Sequence, residues 1–115
     1  MIIFLSGAIR NDPNYKKHFD DAEKEIREKS NHEVINPARF EYPESVKDRK
    51  HEDEIMDVCK AYLNMAHAIY LLRGWETSAG SKEELRYFLS KPPHPLFDAP
   101  IVFVEEGGLK PWMKQ

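Results

Sequence analysis

An α/β domain with a mostly parallel sheet, covered by helices on both faces, is the fold class this sequence predicts. Three observations carry it. Short apolar runs alternate along the whole chain with segments of helical periodicity. The runs Ile2-Ile-Phe-Leu5, Ala68-Ile-Tyr-Leu-Leu72 and Ile101-Val-Phe-Val104 are continuously hydrophobic rather than alternating, as strands buried on both faces must be. Each strand is closed by turn or breaker residues, Ser6-Gly7, Asn36-Pro37, Gly74 and Gly107-Gly108. The chain's 115 residues leave room for one domain, taken as 1–115, with one modest core.

The first strand leads through Asn11-Asp12-Pro13 into a helix with Tyr15, Phe19, Ala22 and Ile26 on one face, stopped near Asn31. His32-Glu-Val-Ile35 is the second strand. Residues 38 to 46, containing Pro43, form a loop over the sheet edge. A helix from about Val46 to Met65 places Ile55, Val58, Cys59, Tyr62, Leu63 and Ala66 inward, its charged first half being the weaker part. The third strand follows, then a loop at 73 to 80 and a helix from about Ser81 to Leu89 with Leu85, Phe88 and Leu89 inward. Lys91-Pro-Pro-His-Pro95 forbids further helix before the last strand. Such alternation implies right-handed crossovers and a sheet of roughly four or five strands. Residues 91 to 99 are long for a helix-to-strand connection and read as a lid or an arm for a neighbouring subunit. The tail tryptophan, Trp112, favours docking on its own chain or a partner.

Charge and composition exclude several classes. Seventeen basic residues interleave with twenty acidic ones for a net charge of -3, with no basic stripe to neutralise a nucleic-acid polymer. A single nucleotide remains compatible. No apolar stretch approaches the roughly 20 residues of a membrane span, and Met1 leads straight into a strand without a basic n-region or cleavage site. A cytoplasmic location is expected. The lone Cys59 rules out an internal disulfide and a multi-cysteine metal site, and the five histidines fall on separate elements without metal-ligand spacing. Neither a metal nor a cofactor is implied.

The chemistry concentrates in Gly74-Trp-Glu-Thr-Ser-Ala-Gly-Ser-Lys-Glu-Glu84, which joins a strand's carboxyl end to a helix amino terminus, where small-molecule sites gather. Gly74 and Gly80 permit tight backbone, while Ser78 and Ser81 set hydroxyls beside helix amides. Glu84 supports two readings. It could attack an electrophilic sugar carbon, as carboxylates do in retaining glycoside chemistry. Alternatively, Ser81-Lys-Glu-Glu84 is a capping box in which Glu84 reaches back to the amide of Ser81. Ser6-Gly7-Ala8-Ile9-Arg10 offers backbone amides and a guanidinium to a phosphate or ribose hydroxyl, or is a plain loop with a surface arginine. Trp75 could stack on a planar base or cover the sheet edge. Dinucleotide, triphosphate and serine-hydrolase motifs are absent.

Taken together, Ser6-Gly-Ala-Ile9, Phe19-x-x-Ala22-Glu23, His32-Glu-Val-Ile-Asn-Pro-Ala38 and the run Ala68 to Gly80 followed by Glu84 resemble the nucleoside 2-deoxyribosyltransferase superfamily, most closely a small phage-associated branch of unknown function. The resemblance implies a flavodoxin-like (Rossmann-like) three-layer sandwich that binds a deoxynucleoside or its 5′-monophosphate. Transfer or hydrolysis at the N-glycosidic bond is the implied activity, with a catalytically impaired nucleotide-binding module as the alternative. Glu84 falls on the family's nucleophile, Ser78 on a 5′-phosphate contact and Arg10 on a first-loop arginine. Phe4 falls where relatives have a positioning tyrosine, Ala8 where they have a serine, and His67 where the branch has an aspartate. Cys59 falls where relatives have an aspartate that aids departure of the base, which leaves Asp57 as the nearby catalytic candidate. The expected substrate-binding set is Phe4, Ser6, Gly7, Arg10, Trp75, Ser78, Gly80 and Ser81. Sites of the family are commonly completed by a neighbouring subunit, so a homo-oligomer is implied.

Overall fold

The structure is a computed structural model that describes residues 1–10, 12–46, 49–92, 95 and 99–105. His94, Gly107, Gly108 and Trp112, with most of the proline-rich connection, lie outside the described residues. The element order is β1 (Ile2–Ser6), α1 (Tyr15–Lys29), β2 (Glu33–Ile35), α2 (Glu52–Met65), β3 (Ala68–Leu71), α3 (Ala79–Ser90) and β4 (Ile101–Val104). All pairings are parallel, in a four-stranded sheet of order β2-β1-β3-β4. The predicted α/β class and its flavodoxin-like three-layer arrangement are what the chain adopts.

Strand alternation sends successive side chains to opposite faces. Ile3, Leu5, Tyr70 and Leu72 pack with Phe19, Ala22 and Ile26 of α1. Phe4, Ile69 and Leu71 pack on the other face with Cys59 and Leu63 of α2 and Phe88 of α3. Each fully buried aliphatic or aromatic side chain contributes about 1.5–3 kcal/mol relative to exposure. That doubled core explains why β1 and β3 carry no polar alternation.

The structure differs from the sequence reading at the start of the second helix and at two positions expected to face inward. The second helix begins at Glu52 rather than near Val46, with short 3-10 turns at Glu44–Val46 and Arg49–His51 ahead of it. Glu52, Asp53 and Glu54 occupy its first turn, where the macrodipole favours acids, whereas the basic residues just before would oppose it. Val58 and Leu89, expected inward, are 38% and 52% exposed. In α3 the buried stripe runs through Ser81, Glu84 and Phe88, so Leu89 lies about 100° beyond it. Among the described residues, no helix is long and apolar enough to cross a membrane.

Candidate functional site

From β1 the chain turns one way to β2, while β3 pairs on the opposite side. That reversal makes the carboxyl ends of β1 and β3 a topological switch point, the place where open α/β sheets bind ligands. Ser6 ends β1 there, opposite Leu71. The next residue, Gly7, packs closely: an added Cβ would stand 3.0 Å from Cβ of Leu72 and 3.3 Å from the Phe19 ring, so these neighbours would have to give by a few tenths of an ångström to take a side chain there.

The third strand exits through Gly74, whose φ of 89° is left-handed, into one 3-10 turn at Trp75–Thr77. Ser78 then caps α3, its hydroxyl oxygen accepting the Ser81 amide at 3.1 Å. Helix thus starts two residues earlier than the capping-box reading requires. With Ser78 as the cap, the capping-box glutamate position falls on Ser81, and Glu84 lies one turn too deep to reach the cap amide.

Glu84 instead turns toward the sheet. The Ser6 hydroxyl donates to its Oε1 at 2.7 Å, and the Ser81 hydroxyl lies 3.0 Å from that of Ser6. Ser6 has one proton, so with Glu84 ionised Ser81 must donate to Ser6. The Cys59 thiol of α2 lies close enough to favour the ionised carboxyl. Glu84 is only 8% exposed, and burial pushes its carboxyl up to about 7, against the pull of the Ser6 and Cys59 hydrogen bonds. Burial, then the Glu84 charge, pushes the Cys59 thiol far up, so it stays protonated. Burial first, then the nearby Cys59 and Glu84, raises the Tyr42 phenol to about 12. The result is a carboxyl that titrates near neutrality beside two groups, Cys59 and Tyr42, that stay neutral there.

The other expected residues are distributed around this centre. Ser81 is 1% exposed and committed internally, while Ser78 and Gly80 are half-buried at the start of α3, Gly80 facing the Ser78 hydroxyl and Met56. Phe4 is wholly buried on the same sheet face as Cys59. Trp75 packs partly against that core, so its ring covers the sheet edge. Arg10 pairs with Glu52 at 2.8 Å, both half exposed. Asp57 lies exposed on α2, whereas Cys59 takes the inward position. His67 is at the opposite end of the sheet, where its Nδ1 accepts the Ile2 amide at 3.0 Å. Tyr42 was not legible as a site residue, because it lies in an irregular segment without periodicity; the Phe40–Tyr42 aromatic spacing was its sole signal. Among the described residues no group of His, Cys, Asp and Glu could hold a metal ion.

The family model described as a domain of unknown function (DUF4406) matches residues 1–92. The chain belongs to the DUF4406 family. No curated protein and no solved structure matches it. The DUF4406 match runs from β1 through the end of α3, so it contains Ser6, Cys59, Ser81 and Glu84 together and leaves only β4 and the tail beyond it.

Proposed function

We propose that this DUF4406 domain acts on the N-glycosidic bond of a deoxynucleoside or its 5′-monophosphate, as a deoxyribosyltransferase or N-glycosidase, with Glu84 as nucleophile. One observation carries the reading: a buried carboxyl stands at the sheet's switch point, held by the Ser6 hydroxyl rather than by its own helix. Its ionised form attacks the anomeric carbon. The carbon–nitrogen bond breaks, the base leaves with the bonding pair and takes up a proton, and a deoxyribosyl ester forms on Glu84. Water or a second base then cleaves that ester. The positive charge that develops on the sugar in the transition state favours the carboxylate in a site where burial disfavours it.

Ser78 and Gly80 at the start of α3, with the loop after β1 and Arg10, are suited to hold the 5′ end, and Trp75 to flank the base. We place the protein in the cytoplasm, assembled as a homo-oligomer that completes its own sites. The exposed apolar residues Val58, Met65 and Leu89 supply surface for that assembly.

A second reading, a module that binds the nucleotide without cleaving it, is favoured by Cys59. A thiol raised this far is a poor proton donor to a leaving base, and losing general acid catalysis forfeits roughly 10²- to 10⁴-fold. Incubation with the four deoxynucleosides and their monophosphates distinguishes the two. Free base, reduced by about 10³-fold or more in Glu84→Ala, is the expected result. Thermal stabilisation by a nucleotide without base release would replace the enzyme reading with the binding module.

A further inference from the structure

Two of the residues expected to touch a substrate are buried too deeply to meet one: Ser6 and Ser81 are each 1% exposed. Ser6 is the last residue of β1 and shares the sheet face of Phe4, two positions earlier, so an apolar side chain is what its surroundings call for. Ser81 stands in the buried stripe of α3 with Glu84 and Phe88. Hydroxyls and a carboxyl in such a layer cost free energy unless they are paired, and apolar groups of the same shape would serve the fold about as well. The cluster therefore does something other than hold the helix to the sheet.

Their hydrogen bonds form a line. Ser81 Oγ lies 3.0 Å from Ser6 Oγ, and Ser6 Oγ lies 2.7 Å from Glu84 Oε1. Each hydroxyl has one proton and two lone pairs, so the line can be filled in either direction. With Glu84 ionised, Ser81 donates to Ser6 and Ser6 donates to Oε1. With a proton on Oε1, the carboxyl donates to Ser6 and Ser6 donates to Ser81. Glu84 can thus gain or lose its charge by rotation of two O–H bonds, with every heavy atom in place. The Ser81 amide, which donates to the Ser78 hydroxyl, takes no part, so this relay is separate from the helix cap. It engages Oε1 and leaves Oε2 outside the line.

We propose that Ser6, supported by Ser81, is the positioning residue of Glu84: it fixes Oε1 in both charge states and makes Oε2 the oxygen that attacks the sugar. This rests on the reading of Glu84 as nucleophile given above. Oε2 bonds to the anomeric carbon while the base departs with the carbon–nitrogen pair and takes a proton from solvent, and Oε1 becomes the carbonyl oxygen of the ester. A carbonyl accepts a hydrogen bond about half as strongly as a carboxylate, so the Ser6 bond weakens as the ester forms. It strengthens again when the oxygen of water bonds to the anomeric carbon, the ester's carbon–oxygen pair returns to Oε2, and the surplus proton of water passes to solvent. Ser6 restrains the first step and assists the second.

Titration of the Glu84 carboxyl by NMR tests this, on the full chain labelled with carbon-13 at its glutamate carboxyls and with the signal assigned through Glu84→Gln. Ser6→Ala removes the donor to the ionised form, so the Glu84 midpoint should rise by about one pH unit or more. Ser81→Ala keeps the capping amide and a good helix former, and should move the midpoint the same way by less. A purely structural serine would alter stability and leave the midpoint alone. In base release, Ser6→Ala should shift the rise of rate with pH by the same interval and increase the steady-state fraction of chain that carries the deoxyribosyl ester, read as added mass. Should Ser6→Ala not fold, the Ser81→Ala titration decides. An unmoved midpoint in the variants that fold, or an unchanged ester fraction in a Ser6→Ala chain that releases base, overturns the proposal. Base release by the unmodified chain is scored separately. Release with an unmoved midpoint removes the role of Ser6 and keeps the glycosidic reading; a moved midpoint without release keeps the relay and ends the glycosidic reading.

Discussion

Glu84 concentrates the chemistry and a cost. Its carboxyl, pushed up to about 7 from 4.5, holds its proton in the folded state over a range where the unfolded chain has lost it. Stability from this group is therefore complete below pH 4.5 and is lost as pH rises through about 7. The loss amounts to roughly 3 kcal/mol. Glu84→Gln keeps the shape without the titration, so the melting temperature of the variant should gain on that of the wild type between pH 5 and 8 and level off above. Parallel curves across that range would show that Glu84 is not desolvated. The same titration sets the direction of any activity profile. A nucleophile must be ionised, so base release should climb through pH 7 while fold stability declines.

At the scale of elements, α3 positions Glu84 because Ser78 starts the helix where it does. Ser78→Ala removes the acceptor for the Ser81 amide and should cost about 1 kcal/mol in chemical denaturation. A loss well below that would mean that the capping bond adds little to α3. The strands and the buried face of α1 were legible because apolar spacing records burial directly, as Phe19, Ala22 and Ile26 show, whereas in α3 the stripe through Ser81 and Glu84 is polar and only Phe88 marked it. Less was legible where two signals compete. Ser78 and Ser81 both precede helix-compatible residues, and only the backbone of Ser78, extended at φ -106° and ψ 117°, decides which one caps. The partnership of Glu84 with Ser6 spans 78 positions and leaves no local pattern. Tyr42 is harder still, since the segment that carries it has no period to read and its role depends on a contact with α2.

For the molecule as a whole, the sheet divides the core into two layers that share only the central strands. β1 and β3 are hydrogen-bonded on both sides and packed on both faces, whereas β2 and β4 each pair with a single neighbour among the described residues. Native-state hydrogen exchange should rank accordingly, with the amides of Phe4, Leu5, Ile69 and Tyr70 slowest and those of β2 well ahead of them. Equal protection across all four strands would indicate that the edges are tied down more firmly than their pairing shows. The switch point thus lies between the two strands expected to exchange slowest, while Phe40 to Pro43, near Glu84, belong to no regular element.

The single cysteine gives that contrast a practical use. Cys59 is 6% exposed and its thiol is held protonated, so an alkylating reagent in bulk solvent meets neither the sulfur nor a thiolate. Its labelling must wait for the packing around it, Phe40 and Tyr62 included, to open. The rate at which the sulfur is captured should therefore clock the breathing of that packing, and Tyr42→Ala, which removes the ring set edge-on to Phe40, should make that clock run faster without raising the slowest amide exchange. One native atom, already in place, would then time how often the carboxyl beneath is uncovered.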